Sequence, residues 1–249
     1  MSEPVSVSVC MATYNGQAYV EAQLTSILDE LTPHDEVIIV DDASSDGTVA
    51  AVQALSDPRV RVIRQAANRG YVHTFEAAML AATNDVLFLA DQDDEWVPGR
   101  RAALVEAAQE AGVAASNLLL LGTDEPLRSP LTGRPWLLRA ATSRHRVRNE
   151  LRILAGSAPY FGCAMAIRRD LLPLVTPFPD FLTESHDLWI ATVANAHGVL
   201  RHVEQPTVRR RIHSTNASSE KPRGVRAALR SRWMLMRAWR EAQRRVQTA

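Results

Sequence analysis

The first half of the chain alternates short apolar runs with stretches of helical period. Residues 5–11 alternate Val and Ser and read as a strand, followed by the turn Ala12-Thr13-Tyr14-Asn15-Gly16. Tyr19, Leu24, Ile27, Leu28 and Leu31 recur at helical spacing, which predicts an amphipathic helix over 17–31, ended by Pro33. Residues 36–40 form a second, β-branched strand, and Asp46 can N-cap a helix over 48–55. A third strand is expected over 60–64. The turn Asn68-Arg69-Gly70 precedes a helix marked by Phe75, Met79 and Leu80, and residues 86–90 form a fourth, wholly apolar strand.

Strand–helix alternation with short loops implies an α/β fold, a mostly parallel central sheet flanked by helices. Such sheets bind ligands at the carboxyl ends of their strands. The three loops with unusual chemistry, 12–15, 41–46 and 91–96, all follow strands. No G-x-G-x-x-G follows the first strand, which disfavours a classical dinucleotide fold. The second half is less regular. Segment 122–149 is rich in Pro, Gly and Arg and reads as a loop or lid. Strands are expected over 160–167, 199–203 and 207–212, and helices over 183–197 and 225–246.

A chain of 249 residues is one large domain or two small ones. No apolar run approaches the ~20 residues of a membrane span. Met1-Ser2-Glu3-Pro4 shows no basic region leading into an apolar core, so no signal peptide is expected. Cys10 and Cys163 lie in apolar runs and read as buried small hydrophobes in a reducing compartment. The net charge is zero but segregated: acidic before Arg100 and almost wholly Arg after Thr207. That asymmetry suggests a metal near the front and an anionic membrane or polyphosphate at the tail.

The run Val86-Leu87-Phe88-Leu89-Ala90 ends in Asp91-Gln92-Asp93-Asp94-Glu95-Trp96. Clustered carboxylates repel unless a cation or a set of donors compensates. Asp91-x-Asp93 suits a hard divalent ion, although a solvated acidic turn before the next helix has the same composition.

Ala12-Thr13-Tyr14-Asn15, Asp41-Asp42-x-Ser44-x-Asp46-Gly47-Thr48, Asn68-x-Gly70 and Asp91-Gln92-Asp93-Asp94-x-Trp96, in this order and spacing, resemble family-2 inverting glycosyltransferases of the GT-A fold. The resemblance covers roughly residues 4–220. Phe161-Gly162-Cys163-x-Met165 and His186-Asp187-x-Trp189 look most like the rhamnosyltransferase-like branch, which builds bacterial surface polysaccharides. It implies a single GT-A domain with a nucleotide-sugar-binding half (1–110), an acceptor-binding half with the catalytic base (111–220) and a basic C-terminal helix (221–249). It further implies Mg²⁺ or Mn²⁺, a dTDP- or UDP-sugar donor with dTDP-rhamnose foremost, a saccharide or lipid-linked acceptor, no nucleic acid, and a cytoplasmic place. The C-terminal helix itself, where Arg226, Arg230, Arg237, Arg240 and Arg244 mix with Trp233 and Trp239, suits either peripheral contact with the inner membrane face or packing with a solvated Arg face. The Gln-x-x-Arg-Trp pattern of processive synthases is missing, which points to transfer of one sugar. The rivals are a non-catalytic nucleotide-sugar-binding subunit and a sugar nucleotidyltransferase; the latter usually carries a Gly-rich triphosphate loop that this chain lacks.

The resemblance assigns the donor to Ala12, Thr13, Tyr14, Asp42, Asn68, Gly70, Asp91 and Gln92. Asp42 would accept the imide N3–H of a pyrimidine base, and Tyr14 would stack on it. Asp91 would meet ribose hydroxyls or a metal-bound water. Asp93 and His213 would bind the metal, and the arginines at 209–211 face the diphosphate or solvent. Asp187 would be the base that takes the acceptor proton, with Glu184 as rival, because the common Glu-Asp pair is here His186-Asp187.

Overall fold

The computed structural model describes residues 5–130, 132–213 and 224–248. Strands β1 (Val7–Thr13), β2 (Glu36–Asp41), β3 (Val60–Arg64) and β4 (Val86–Ala90) alternate with helices α1 (Val20–Leu28), α2 (Thr48–Ala54) and α3 (Tyr71–Ala81). These four strands pair in parallel. Then follow β5 (Glu95–Trp96), α4 (Arg100–Ala111), β6 (Val113–Leu120), α5 (Arg146–Ala155), β7 (Met165–Arg168), α6 (Leu172–Val175), α7 (His186–His197), β8 (Leu200–Arg210) and α8 (Val225–Thr248). One sheet runs β3-β2-β1-β4-β7-β6-β8-β5, so both halves of the chain share it.

The central strands read as near-continuous apolar runs because helices cover both faces. Ile38 joins Cys10, Leu87 and Trp189 in the core on one face. Its neighbour Ile39 joins Val9, Phe88 and Leu104 on the other, as the two-residue period of a strand requires. Both cysteines are buried thiols, Cys10 in β1 and Cys163 in a 3-10 turn.

Several sequence expectations are corrected. The strand expected over 160–167 is only Met165–Arg168, because Gly162–Ala164 turns as a 3-10 segment and presents Gly162 and Cys163 to the cleft at the strand ends. The two strands expected at 199–203 and 207–212 are one strand, β8, which pairs with β6 through register shifts at Ser116/Asn117 and Asn117/Leu118. Pro206 sits at that irregularity, where a missing N–H does least harm. β6 itself was not expected. The segment 122–149 is part loop and part helix, since α5 begins at Arg146. Leu80, used to mark α3, is 59% exposed. Asp46 accepts a hydrogen bond from the Thr48 amide (3.0 Å), but from the residue before the cap position Gly47.

Arg100 ties the two halves together. Its side chain is wholly buried. Nη1 donates to Thr207 Oγ1 of β8 (2.7 Å), and Nη2 donates to the carbonyls of Cys163 (2.7 Å) and Leu89 (3.3 Å). The guanidinium also lies 4.5 Å from the ring centre of Trp96. Burial pulls its pKa down to about 10, so it stays charged at neutral pH. Arg100→Met removes these donors while keeping most of the volume. Leaving a buried acceptor unpaired costs about 1–3 kcal/mol, and relief from burying a charge offsets part of the sum, so the variant should lose ~2–4 kcal/mol of stability, read as a lower urea midpoint at unchanged slope.

Candidate active site

The carboxyl ends of β1, β2 and β4 open into a cleft of about 670 Å³ whose far wall is the Gly162 turn, the start of α7 and the end of β8. Ala12, Thr13, Tyr14, Asp42, Asn68, Gly70, Asp91, Gln92, Asp93, Asp187 and His213, the eleven residues singled out in the sequence, all line it. Glu184 does not line it.

Backbone geometry explains several placements. Asp42 follows β2 and is buried. Its two oxygens accept the amides of Arg69 (2.7 Å) and Gly70 (2.9 Å). This turn needs Gly at position 70, where φ is 84°. Asp42 therefore fixes the 68–70 turn while one edge still faces the cleft. Asp41, one residue earlier, accepts from Ser44 Oγ (2.5 Å) and Thr13 Oγ1 (3.2 Å) and locks the loop after β2 to β1. Gln92 holds the Tyr14 backbone at both ends, accepting from its amide (2.9 Å) and donating to its carbonyl (3.1 Å). The Tyr14 ring is 48% exposed and stands at the cleft mouth.

The acidic end of β4 meets the end of β8. His213 Nε2 and Asp93 Oδ2 lie 2.7 Å apart, and Tyr19 stacks on the His213 ring at 4.6 Å. Asp94 is buried and accepts the Arg211 amide (2.9 Å). Burial first, then repulsion from Asp94 and Asp93, raises the Asp91 pKa well above the usual carboxylate range. Burial and Asp93 push Asp94 up to about 6. Arg210 lines the cleft among Asp91, Asp94 and Asp187; burial works against its charge, and these acids outweigh it. Of the other two arginines, Arg209 pairs with Asp124 (2.7 Å) and Arg211 with Glu95 (2.9 Å).

Asp187 stands in the first turn of α7, and one of its oxygens accepts the Leu188 amide (2.8 Å). It is only partly covered, but the cleft walls around it remove enough water to raise its pKa to about 6. Beside it, His186 is buried against the Phe75 ring (4.3 Å), with no hydrogen-bond partner on either ring nitrogen. Burial lowers its pKa to about 3, so it is neutral.

Sequence reasoning did not find Tyr19, Tyr71, Phe75 or His186 as cleft residues. Tyr19 and Phe75 carried only a helix-period signal, and Tyr71 follows the Asn68-x-Gly70 turn directly, which is the signal that was available.

A family model described as glycosyl transferase family 2 matches residues 8–173. The chain belongs to this family. Among curated relatives of this family-2 chain, the succinoglycan biosynthesis protein ExoO of Rhizobium meliloti is 35% identical over 120 residues, 47% of this chain and 34% of that protein. A UDP-Glc:alpha-D-GlcNAc-diphosphoundecaprenol beta-1,3-glucosyltransferase of Escherichia coli, WfgD, is 28% identical over 94 residues, 38% of this chain and 37% of that protein. The chain thus spans well under half the length of these relatives. The solved structure of Staphylococcus aureus TarS 1-349 in complex with UDP-GlcNAc superposes with a TM-score of 0.71 at 15% identity, covering 97% of this chain and 70% of that one. That likeness shows the GT-A fold.

A divalent cation, common in family 2, fits the residues present. Three carboxylates crowd the end of β4, and Asp94 Oδ2 is buried with no hydrogen-bond partner among the described residues. Asp91, Asp94 and Cys163 offer ligand atoms within 4.8 Å of one another. Burial raises the Cys163 thiol, however, and a protonated thiol is a poor ligand for a hard ion. Asp93 and His213 face the cleft and offer oxygen and nitrogen donors, held against one another at 2.7 Å.

Asp187→Asn tests the electrostatic cost of this family-2 site. A carboxyl with its folded pKa raised to about 6 destabilises the fold when ionised. That penalty is fully present above about pH 6 and vanishes below the unfolded value of 3.8. The variant should melt above wild type at pH 8, and the gap should close as the pH falls through 6 towards 4. Equal melting temperatures at both ends of that range would contradict it.

Proposed function

We propose that the chain is a metal-dependent inverting transferase of one sugar, from a dTDP- or UDP-sugar, with dTDP-rhamnose the leading donor, to a saccharide or lipid-linked acceptor. The observation that carries the reading is Asp187, a carboxylate with a raised pKa facing the same cleft as Asp42 and the Asp93–His213 pair. The UDP-GlcNAc of the TarS complex, and the UDP-Glc donor and lipid-diphosphate acceptor for which WfgD is named, support it.

In this reading Asp42 accepts the imide proton of the pyrimidine and Tyr14 covers the base. Asp91 receives ribose hydroxyls. Asp93 and His213 hold Mg²⁺ or Mn²⁺, which supplies positive charge beside the diphosphate leaving group when bound. Arg210 adds a cation of its own to the same wall. Asp187 takes the acceptor hydroxyl's proton as that oxygen attacks the sugar carbon from the face opposite the diphosphate, and the configuration inverts. A base with a pKa near 6 is ionised at neutral pH and yet more basic than an ordinary carboxylate. The reaction would run in the cytoplasm, at the inner face of the membrane.

Turnover at saturating substrate should therefore fall about tenfold per pH unit below about 6 and level off above it. Asp187→Asn should lower kcat by ~10²–10⁴ with donor affinity almost unchanged. Proton NMR of the product, against the donor's anomeric signal, reads the stereochemistry directly. A retained configuration, or near-normal turnover by the Asn variant, would overturn the role given to Asp187. Asp42 further requires UDP or dTDP to bind well ahead of ADP and CDP, whose bases lack the imide proton; equal affinities by calorimetry would contradict that assignment.

A further inference from the structure

We propose that the outward face of α8, with the outer face of its neighbour α5, is a docking surface for an anionic phospholipid bilayer. The proposal rests on the membrane-side location given above but not on the chemistry of transfer. α8 has two unlike sides. Met234, Leu235, Ala238 and Ala242 are buried and belong to the main core. The opposite side exposes Leu229 (64%), Trp233 (62%) and Met236 (45%), where a helix facing only water would carry polar groups.

Exposed arginines are interleaved with those apolar residues. Arg226 and Arg230, and further along Arg240 and Arg244, are pairs four residues apart that fall on the same side of the helix. The acid on α8, Glu241, is engaged by Arg244 (2.8 Å) and Arg245 (3.0 Å), so it leaves the face basic. α5, which packs against α8, repeats the pattern with Val147 (76%) and Leu151 (61%) exposed beside exposed Arg144 and Arg148.

The mixture selects the occupant. A soluble polyanion would satisfy the arginines but leave Leu229, Trp233 and Val147 in water. A second copy related by a two-fold axis would bring arginines against arginines. An anionic bilayer satisfies both sets, phosphates for the guanidinium groups and the acyl boundary for the apolar side chains. No helix among the described residues is long and apolar enough to cross a membrane, so the contact lies flat on the surface. α8 packs along α7, whose first turn holds Asp187, and Arg237 of α8 sits 4.1 Å from the ring centre of Phe181, just before that turn. Docking through α8 therefore fixes the layer that carries the proposed base.

The test is co-sedimentation of the full chain with phosphatidylglycerol-containing vesicles and with pure phosphatidylcholine vesicles, at low and high salt. Binding to the anionic vesicles at low salt, released by salt, is expected. Leu229→Ala with Trp233→Ala should weaken binding on the order of tenfold through lost apolar burial. Arg230→Gln with Arg240→Gln should also weaken it on the order of tenfold and flatten its salt dependence. All four residues are exposed, so both variants should keep the wild-type melting temperature and UDP affinity. Absence from the anionic vesicle pellet at low salt, or wild-type binding by both variants, overturns the proposal. So does binding to soluble polyphosphate without binding to vesicles, or a dimer that protects Trp233 from quenching. Vesicle binding by a chain that transfers no sugar would uphold the surface and count against the proposed reaction alone.

Discussion

The costliest feature of this molecule is the acidic end of β4. Asp91, Asp93 and Asp94 are brought together there, and burial, with the charges of neighbouring acids, holds Asp91 and Asp94 above the usual carboxylate range. Two arginines, with backbone donors, hold that arrangement. Arg210 stands inside the cleft wall among Asp91, Asp94 and Asp187. Arg100 lies behind it, bonded to β4, to the Gly162 turn and to β8, with its plane against Trp96. The first half of the chain contributes these acids, and the second half contributes Arg210 and His213. The site exists only when the two halves are joined in one sheet, and β7 and β6 make that join.

This division explains how the cleft can be polar at its centre and still belong to a stable fold. Strands β1, β2 and β4 are apolar almost to their last residues, and the chemistry begins where the hydrogen-bond ladder ends. Loops are then tied to one another rather than to solvent. Gln92 clamps Tyr14, Asp41 clamps Ser44 and Thr13, and Asp42 clamps the turn at Gly70. The side chains that would meet a nucleotide are positioned before any ligand arrives, which lowers the ordering cost of binding.

The first half of the chain was legible in sequence because parallel strands buried on both faces leave an unbroken apolar signature, and three of them end in a motif. The rest was harder to read for identifiable reasons. β6 is built from Val113, small residues and three leucines, so neither strand period nor β-branching marks it. β8 continues through Pro206 only because a register shift lets it. Gln92 and Asp42 read as ligand contacts, and both also brace loops, a second role that only the partners across space reveal. Nothing in the sequence singled out Arg100. Its burial depends on three acceptors that lie far apart in the sequence. The basic, Trp-bearing tail suggested a membrane surface in the sequence, but Arg and Trp share one side of the helix instead of dividing it, so the period did not mark which face is outward.

The central claim is that the ends of β4 and β8 form one cation-dependent site for a pyrimidine nucleotide diphosphate. Isothermal titration calorimetry of UDP and dTDP, with and without Mn²⁺, tests it most directly. The wild-type chain should bind either nucleotide tightly only when Mn²⁺ is present. Asp93→Ala should lose that dependence and bind weakly in both conditions, while keeping its fold by circular dichroism. Wild-type binding that is equally tight in excess EDTA, or an Asp93→Ala variant that still responds to Mn²⁺, would contradict the account.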